Sequence, residues 1–180
     1  MKNLRLVCGL LCLLTLPGCL TFGGAERGLG VLNIQNQRSG ERSMVQYRLP
    51  NGELDPAGLW QLSYLMRDTN SNQAAPIDPN LLDFMADARW KAGLPPQTLI
   101  IVTSGYRAPS TNQALRRQNG QAAENSYHLR GQAVDIKIPA ISGRRFANAA
   151  ASLNRGGVAY YASNEHVHLD TGPPRSWDTR

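Results

Sequence analysis

Three early segments of the chain have the residue pattern of β-strands. Residues 31–34 and 44–49 alternate apolar and polar side chains, with Ser39 and Gly40 as turn residues between them. This arrangement predicts a hairpin, because strands of period two joined by a turn pair with each other. Residues 98–103 are β-branched and apolar, which is typical of a buried strand.

Apolar side chains at spacings of three and four predict α-helices on both sides of that buried strand. The predicted helices cover residues 59–68, 78–92, 110–117 and 142–153. The second of them is the best delimited, because Asp78 can cap its start, Pro79 fits its first turn and Gly93 can end it.

The later part of the chain supplies further strands and a turn-rich end. Residues 133–138, 158–161 and 166–170 have strand patterns, and the Gly-Pro-Pro sequence at 172–174 predicts an irregular tail. Helices and short strands in this order predict an α+β fold, in which helices pack on a small, mostly antiparallel sheet.

The N-terminus has the layout of a secretory signal peptide. Lys2 and Arg5 precede an apolar run at 6–16, which is shorter than the roughly 20 residues that a membrane-spanning helix needs. We predict that the signal peptide covers residues 1–18, with an alternative end near residue 25. The Leu-Pro-Gly sequence before Cys19 resembles a bacterial lipobox, which predicts lipidation of Cys19.

The remaining chain divides into three predicted parts. They are a glycine-rich flexible tether at 19–30, one folded domain at 31–177 and a short tail at 178–180. With a lipid on Cys19, the exported domain would lie in the periplasm and be anchored to the outer membrane. The alternative is a soluble periplasmic protein.

Composition and charge narrow the possible chemistry. All three Cys lie at or before residue 19, so the folded part has no disulfide, and a metal site there must use His, Asp or Glu. The formal charge of +6 falls to +4 when Lys2 and Arg5 are removed with the signal peptide. This charge suits solubility or attraction to an anionic polymer such as the cell wall. Because the chain has no large basic cluster, we do not expect it to bind nucleic acid.

The first of two histidine-containing segments joins a loop to a strand. His128 precedes Gly131, which permits a tight turn, and Asp135 follows between two apolar neighbours in the strand. A carboxylate at such a position is costly unless a cation or hydrogen-bond donors meet it. The segment therefore indicates a metal ligand pair or, alternatively, an Asp bonded to the backbone and an ordinary loop His.

The second segment places His166, His168 and Asp170 on one face of a strand. Such a pattern also occurs on surface strands without a ligand. Taken together with the first segment, however, His128, Asp135 and His168 form a three-ligand set that leaves one position for water, as a hydrolytic zinc site requires.

Several ordered motifs resemble those of the zinc D-alanyl-D-alanine peptidases, which share their core with the hedgehog signalling domain. The motifs are Ser104-Gly105-Tyr106-Arg107, Ser126-x-His128-x-x-Gly131-x-Ala133-x-Asp135, Gly156-Gly157-Val158-x-Tyr160-Tyr161 and Glu165-x-x-His168-x-Asp170-Thr171-Gly172. The resemblance is closest to the cell-wall subgroup of murein endopeptidases and runs from about Val31 to Trp177.

The resemblance implies roles for individual residues of this chain. His128, Asp135 and His168 match the ligands of one Zn²⁺ per chain. Arg107 matches an arginine that faces the substrate carbonyl and stabilises the developing oxyanion. The alternative for Arg107 is a structural role in holding a turn.

Residues around these ligands are candidates for proton transfer and substrate binding. Glu165 matches the general base of the wider family, although strand alternation turns it away from His168 unless it lies in the bend before the strand. Asp170 is the alternative base, or a partner that orients a ligand. We expect His166 to line the cleft or assist proton transfer, and Ser126 and Tyr127 to shape the substrate-binding loop.

These observations lead to the hypothesis of a zinc metallopeptidase that hydrolyses peptide cross-links of peptidoglycan. One alternative is a D,D-carboxypeptidase or dipeptidase acting on free stem peptides, which needs a closed pocket with a cation for the terminal carboxylate. Another is a non-catalytic lipoprotein that binds peptidoglycan. The sequence leaves open which cross-link is cut, and also the oligomeric state.

Overall fold

A seven-stranded sheet forms the centre of the computed structural model, which describes residues 30–119 and 122–179. The strands are β1 (Val31–Asn36), β2 (Arg42–Gln46), β3 (Leu99–Ser104), β4 (Ala133–Lys137), β5 (Gly157–Tyr161), β6 (His166–Asp170) and β7 (Arg175–Thr179). Their order across the sheet is β2-β1-β3-β4-β6-β5-β7. The β1–β3 and β5–β7 pairs are parallel and the other neighbours are antiparallel. The predicted α+β class, the mostly antiparallel sheet and the β1–β2 hairpin are confirmed.

The described residues also form four α-helices. They are α1 (Pro56–Leu65), α2 (Pro79–Lys91), α3 (Pro109–Asn119) and α4 (Gly143–Ala151). Asp55, Asp78 and Ser142 cap α1, α2 and α4, because each side chain accepts a hydrogen bond from a backbone N–H of the first turn. The predicted start of α2 at Asp78 is confirmed, whereas α1 begins earlier than residue 59 because its cap is Asp55.

Strands β4 and β6 divide their side chains between the hydrophobic core and a cleft. The core receives Val134, Ile136, Val167 and Leu169. The cleft receives Asp135, His166, His168 and Asp170. Because side chains of period two point to opposite faces, one pair of strands both anchors the fold and presents the polar groups.

The tail differs from the prediction, since residues 175–179 form strand β7 instead of irregular structure. β7 pairs in parallel with β5, and the Arg175 N–H donates to the Gly156 carbonyl. The Gly-Pro-Pro sequence is therefore a turn between two strands of the sheet, and regular structure continues after it. Mostly exposed side chains leave β7 without the apolar alternation that predicts a strand.

The predicted signal peptide at 1–18, the lipidation site Cys19 and nearly all of the tether at 19–30 lie outside the described residues. The assigned boundaries of these parts stay predictions. Among residues 30–119 and 122–179, no helix is both long enough and apolar enough to cross a membrane.

Candidate metal centre

Strand pairing brings two of the three predicted ligands face to face. Asp135 of β4 is the direct cross-strand partner of His168 of β6. The third, His128, comes from a 3₁₀ helix at Tyr127–Arg130 that precedes β4. Gly131 ends this helix with φ of +65°, and a Cβ there would lie 2.3 Å from the Pro76 carbonyl oxygen. Only glycine therefore fits the turn that returns the chain toward Asp135.

The donor atoms of His128, Asp135 and His168 all lie within 4.8 Å of one another. His168 Nδ1 is 2.9 Å from Asp135 Oδ1, and His128 Nε2 is 3.5 Å from Asp135 Oδ2. Burial raises the pKa of Asp135, but the two neighbouring imidazoles outweigh burial and hold this pKa well below its ordinary range. The carboxylate is therefore ionised, as a metal ligand must be.

In each of the two histidines, the ring nitrogen that faces away from the cluster is held by a neighbouring hydrogen-bond partner. His128 Nδ1 lies 2.8 Å from the Gly105 carbonyl oxygen. A carbonyl only accepts, so this nitrogen carries a proton, and Nε2 is the ring nitrogen that faces the cluster. His168 Nε2 lies 2.9 Å from Asp170 Oδ2, which leaves Nδ1 as its nitrogen toward the cluster. Such outer hydrogen bonds orient the rings of metal ligands.

Asp170 is fully buried, and several donors occupy its carboxylate. It accepts from the backbone N–H of Gly172 at 2.8 Å and from Arg175 Nη2 at 2.6 Å, in addition to His168. Burial raises its pKa, but these hydrogen bonds hold the pKa well below its ordinary value. A carboxylate engaged in this way positions His168, and this geometry favours the predicted orienting role over the role of base.

Sequence reasoning missed Arg175. This residue bonds Asp170, which in turn bonds His168. Its guanidinium bonds both carboxylate oxygens of Asp170. In the sequence it stands in a segment predicted to be irregular, beside no recognisable motif. Its role depends on the pairing of β7 with β5, which local patterns do not reveal.

Two imidazoles and one carboxylate are a donor set that fits Zn²⁺. The described residues contain no Cys, so softer thiolate ligands do not contribute. The same ligand atoms can also bind other divalent transition-metal ions, because a site of nitrogen and oxygen ligands binds the whole series and differs among its members only in affinity. The geometry thus establishes a possible metal centre at His128, Asp135 and His168.

The cluster lies at the base of a cleft of about 520 Å³. The cleft lining includes all the predicted catalytic, metal-binding and substrate-binding residues except Glu165, namely Arg107, Ser126, Tyr127, His128, Asp135, His166, His168 and Asp170. Tyr161, Arg175 and Trp177 also line it, and the Trp177 ring centroid is 5.7 Å from that of His168.

Arg107 faces the cluster and is largely buried. Its Nη2 is 3.9 Å from Asp135 Oδ2, and its guanidinium donates to Ser104 Oγ at 3.2 Å and Asn112 Oδ1 at 3.3 Å. The Arg107 backbone N–H also donates to the His128 carbonyl. The side chain therefore presents a fixed positive charge beside the candidate ligands.

Ser126, Tyr127 and His166 complete the wall around the cluster. The Ser126 hydroxyl accepts a hydrogen bond from the His128 N–H and caps the 3₁₀ helix. The His166 ring stacks on Tyr161, with 4.1 Å between the centroids. Burial lowers the pKa of His166, so the ring is neutral near pH 7 and can accept a proton.

Glu165 lies outside the cleft, in the turn between β5 and β6, with a positive φ of 57°. Its carboxylate accepts hydrogen bonds from the Tyr160 hydroxyl and from the Gly143 N–H at the start of α4. These bonds lower the pKa of Glu165. The structure does not bring this side chain to the cluster, so the predicted role as base gains no geometric support.

His168 is expected to couple ion binding to pH. Burial lowers its pKa, but hydrogen bonds with Asp135 and Asp170 outweigh burial and raise it from 6.5 to about 9. The charged ring stabilises the ion-free fold fully below pH 6.5, and this contribution is lost as pH rises through about 9. A proton on Nδ1 competes with a metal, so ion affinity increases over the same interval. An NMR titration of the ion-free protein should show the His168 midpoint near 9, and a midpoint near 6.5 would contradict this coupling.

Comparison with known proteins gives one consistent family. The model of the family Peptidase_M15_2, described as peptidoglycan L,D-endopeptidase MepK, matches residues 25–177. A probable peptidoglycan L,D-endopeptidase MepK of Haemophilus influenzae is 40% identical over 147 residues, which cover 82% of this chain and 78% of that protein. The peptidoglycan L,D-endopeptidases MepK of Escherichia coli K12 and Shigella flexneri are each 35% identical over 147 residues, covering 82% of this chain and 79% of theirs.

Proposed function

Since the chain belongs to the peptidoglycan L,D-endopeptidase family of M15 metallopeptidases, we propose that it hydrolyses L,D peptide cross-links of peptidoglycan with one Zn²⁺ per chain. The predicted family is thereby confirmed, and the names of its relatives favour the L,D bond among the cross-links that the sequence left open. The observation that carries the proposal is the convergence of His128, Asp135 and His168 within 4.8 Å.

His128, Asp135 and His168 would hold the ion as three protein ligands. When bound, Zn²⁺ polarises a scissile carbonyl and lowers the pKa of a water toward ~7. The Gly105 carbonyl and Asp170 fix the two imidazoles in position, so the donors are arranged before the ion arrives.

Arg107 is the residue that stabilises negative charge on the substrate. A peptide carbonyl that reaches the cluster also comes within the range of the Arg107 guanidinium, which stands 3.9 Å from Asp135. The oxygen gains negative charge as the amide is attacked, and a fixed cation in a partly buried site lowers the energy of that state. Ser104 and Asn112 keep the guanidinium in place for this contact.

His166 is the residue that transfers the proton in this proposal. It lines the same cleft as the cluster, its ring is neutral near pH 7, and Tyr161 holds it by stacking. A neutral imidazole can take a proton from water and return it to the leaving amine. Glu165 lies outside the cleft, and the Asp170 carboxylate already accepts hydrogen bonds from several neighbours. Neither is therefore as well placed as His166 to take the proton.

A peptidoglycan enzyme acts in the cell envelope, and the N-terminal sequence suggests how this chain reaches it. We propose export by the signal peptide at 1–18, lipidation of Cys19 and attachment to the outer membrane through the tether at 19–30. The apolar run at 6–16 and the Leu-Pro-Gly-Cys sequence support this proposal.

Digestion of purified muropeptides tests the proposed reaction. We expect the Zn²⁺-loaded chain to convert cross-linked dimers into monomers cut at the L,D bond, with mass spectrometry identifying the fragments. A carboxypeptidase would instead shorten monomers by one terminal residue. A non-catalytic protein would sediment with sacculi and release no fragment, and either of these results would contradict the proposed reaction.

A further inference from the structure

A second cavity, of about 240 Å³, adjoins the cleft. Arg107 and Leu115 line both spaces, so the two meet at the residue assigned to the substrate carbonyl. The floor of the second cavity is the end of β3, including Val102 and Thr103. A peptide whose scissile bond lies at Arg107 can therefore extend the segment on one side of that bond into this cavity.

The walls of this cavity carry more positive than negative charge. Arg38, Arg67 and Arg107 line it, whereas Asp68 is the acidic residue among its described lining residues. The Asp68 carboxylate is already engaged, since it accepts from the backbone N–H groups of Asn70 and Ala108 at 2.9 Å each. Among the described residues it forms no ion pair with these arginines, although its charge acts on Arg107 from a longer distance.

The charge of Arg67 is balanced within the fold. Its guanidinium pairs with Glu41 at 2.7 Å, donates to Asn72 and lies over the Tyr64 ring. The side chain is mostly buried in these contacts. Arg67 thus supports the wall and is not available to pair with a ligand.

Arg38 is different, because its partner is a neutral amide. Its Nη1 donates to the side-chain oxygen of Asn70, and it forms no ion pair within residues 30–119 and 122–179. The turn that carries it is fixed, since Asn36 Oδ1 accepts from the N–H groups of Arg38 and Ser39. In the described part of the chain, this exposed cation therefore stands at the cavity with no carboxylate paired to it.

We propose that this cavity is a subsite for a free carboxylate of the peptidoglycan stem peptide and that Arg38 pairs with it. The inference rests on the proposed function and adds the part of the substrate that lies beyond the scissile bond. The cationic wall suits an acidic segment of the peptide, and Arg107 lines both this cavity and the cleft, so that segment lies next to the cleaved bond. Arg38 is accordingly a substrate-binding residue that touches no reacting atom.

Steady-state kinetics on two matched substrates test the subsite. One is a cross-linked muropeptide dimer with free carboxylates and the other is the same dimer with these groups converted to carboxamides. On the free-carboxylate dimer we expect Arg38→Ala to raise KM about five-fold, the scale of an exposed ion pair, with kcat and zinc content unchanged. Arg38→Lys should restore most of the loss, and on the amidated dimer Arg38→Ala should match wild type.

Arg145→Ala is the matched control, because it removes the same charge from α4 and lines neither cavity. We expect its KM to equal that of wild type on both dimers. An unchanged KM for Arg38→Ala, or equal losses on both dimers, would overturn the subsite while leaving the proposed reaction intact. A wild-type chain that cleaves neither dimer would overturn the proposed reaction and the subsite with it.

Discussion

Replacing Asp135 with Ala should reduce peptidoglycan hydrolysis by roughly 10³-fold or more, the scale of losing a metal's stabilisation of the transition state. Asp135 lies between the two imidazoles, with His168 Nδ1 at 2.9 Å and His128 Nε2 at 3.5 Å. Without its carboxylate, only the two imidazoles remain as ligands, and Arg107 loses the carboxylate with which it pairs. Release of muropeptides from purified sacculi measures the loss.

Two further variants, Asp135→Asn and Asp87→Asn, test whether the loss of activity depends on the charge of Asp135 in particular. The first keeps the size of the side chain and removes its charge, so we expect a loss close to that of Asp135→Ala. The second removes a carboxylate from α2 that pairs with Arg155 away from the cleft, and activity should stay within about two-fold of wild type. Circular dichroism establishes that each variant is folded. Near-normal hydrolysis by folded Asp135→Asn would count against a role in metal binding.

The second large effect is expected at His166. His166→Gln keeps a polar side chain of similar length but cannot carry a proton, so we expect kcat to fall by about 10²-fold, as for loss of a general acid–base group. Zinc content should stay at the wild-type value, because His166 is not among the converging ligands. The decrease of kcat at low pH, where His166 becomes protonated, should also disappear in the variant.

Glu165→Gln separates the two candidate bases. Because the Glu165 carboxylate bonds Tyr160 and Gly143 outside the cleft, kcat should remain within about three-fold of wild type, a change of under ~1 kcal/mol. Measurement of kcat and zinc content for both variants decides the question. A large loss in Glu165→Gln together with a small loss in His166→Gln would reverse the assignment.

Local sequence patterns predicted which face of its strand each of two candidate ligands occupies. The alternation in β4 and β6 places Asp135 and His168 on the cleft side of their strands, and period two is a property of any strand. Gly131 marked the turn before β4, because its positive φ and close approach to Pro76 admit no side chain. What the pattern could not supply was the pairing that makes Asp135 and His168 direct neighbours, and motif resemblance provided that step.

Contacts between distant segments were beyond the reach of local patterns. Arg175 reaches Asp170 only because β7 pairs with β5, and the exposed residues of β7 carry no strand period. The family resemblance implied that Glu165 could act as base if it lay in the bend before β6; it does lie in that turn, but its carboxylate bonds the Gly143 N–H at the start of α4. Arg38 enters the second cavity from the β1–β2 turn, far from Arg107 in sequence.

Elemental analysis of the purified protein tests most directly whether His128, Asp135 and His168 share one ion. The wild-type chain should retain about one zinc per molecule after dialysis, while folded His128→Ala and Asp135→Ala should retain almost none. A wild-type chain without zinc that still digests peptidoglycan, or variants that keep a full equivalent, would contradict the account.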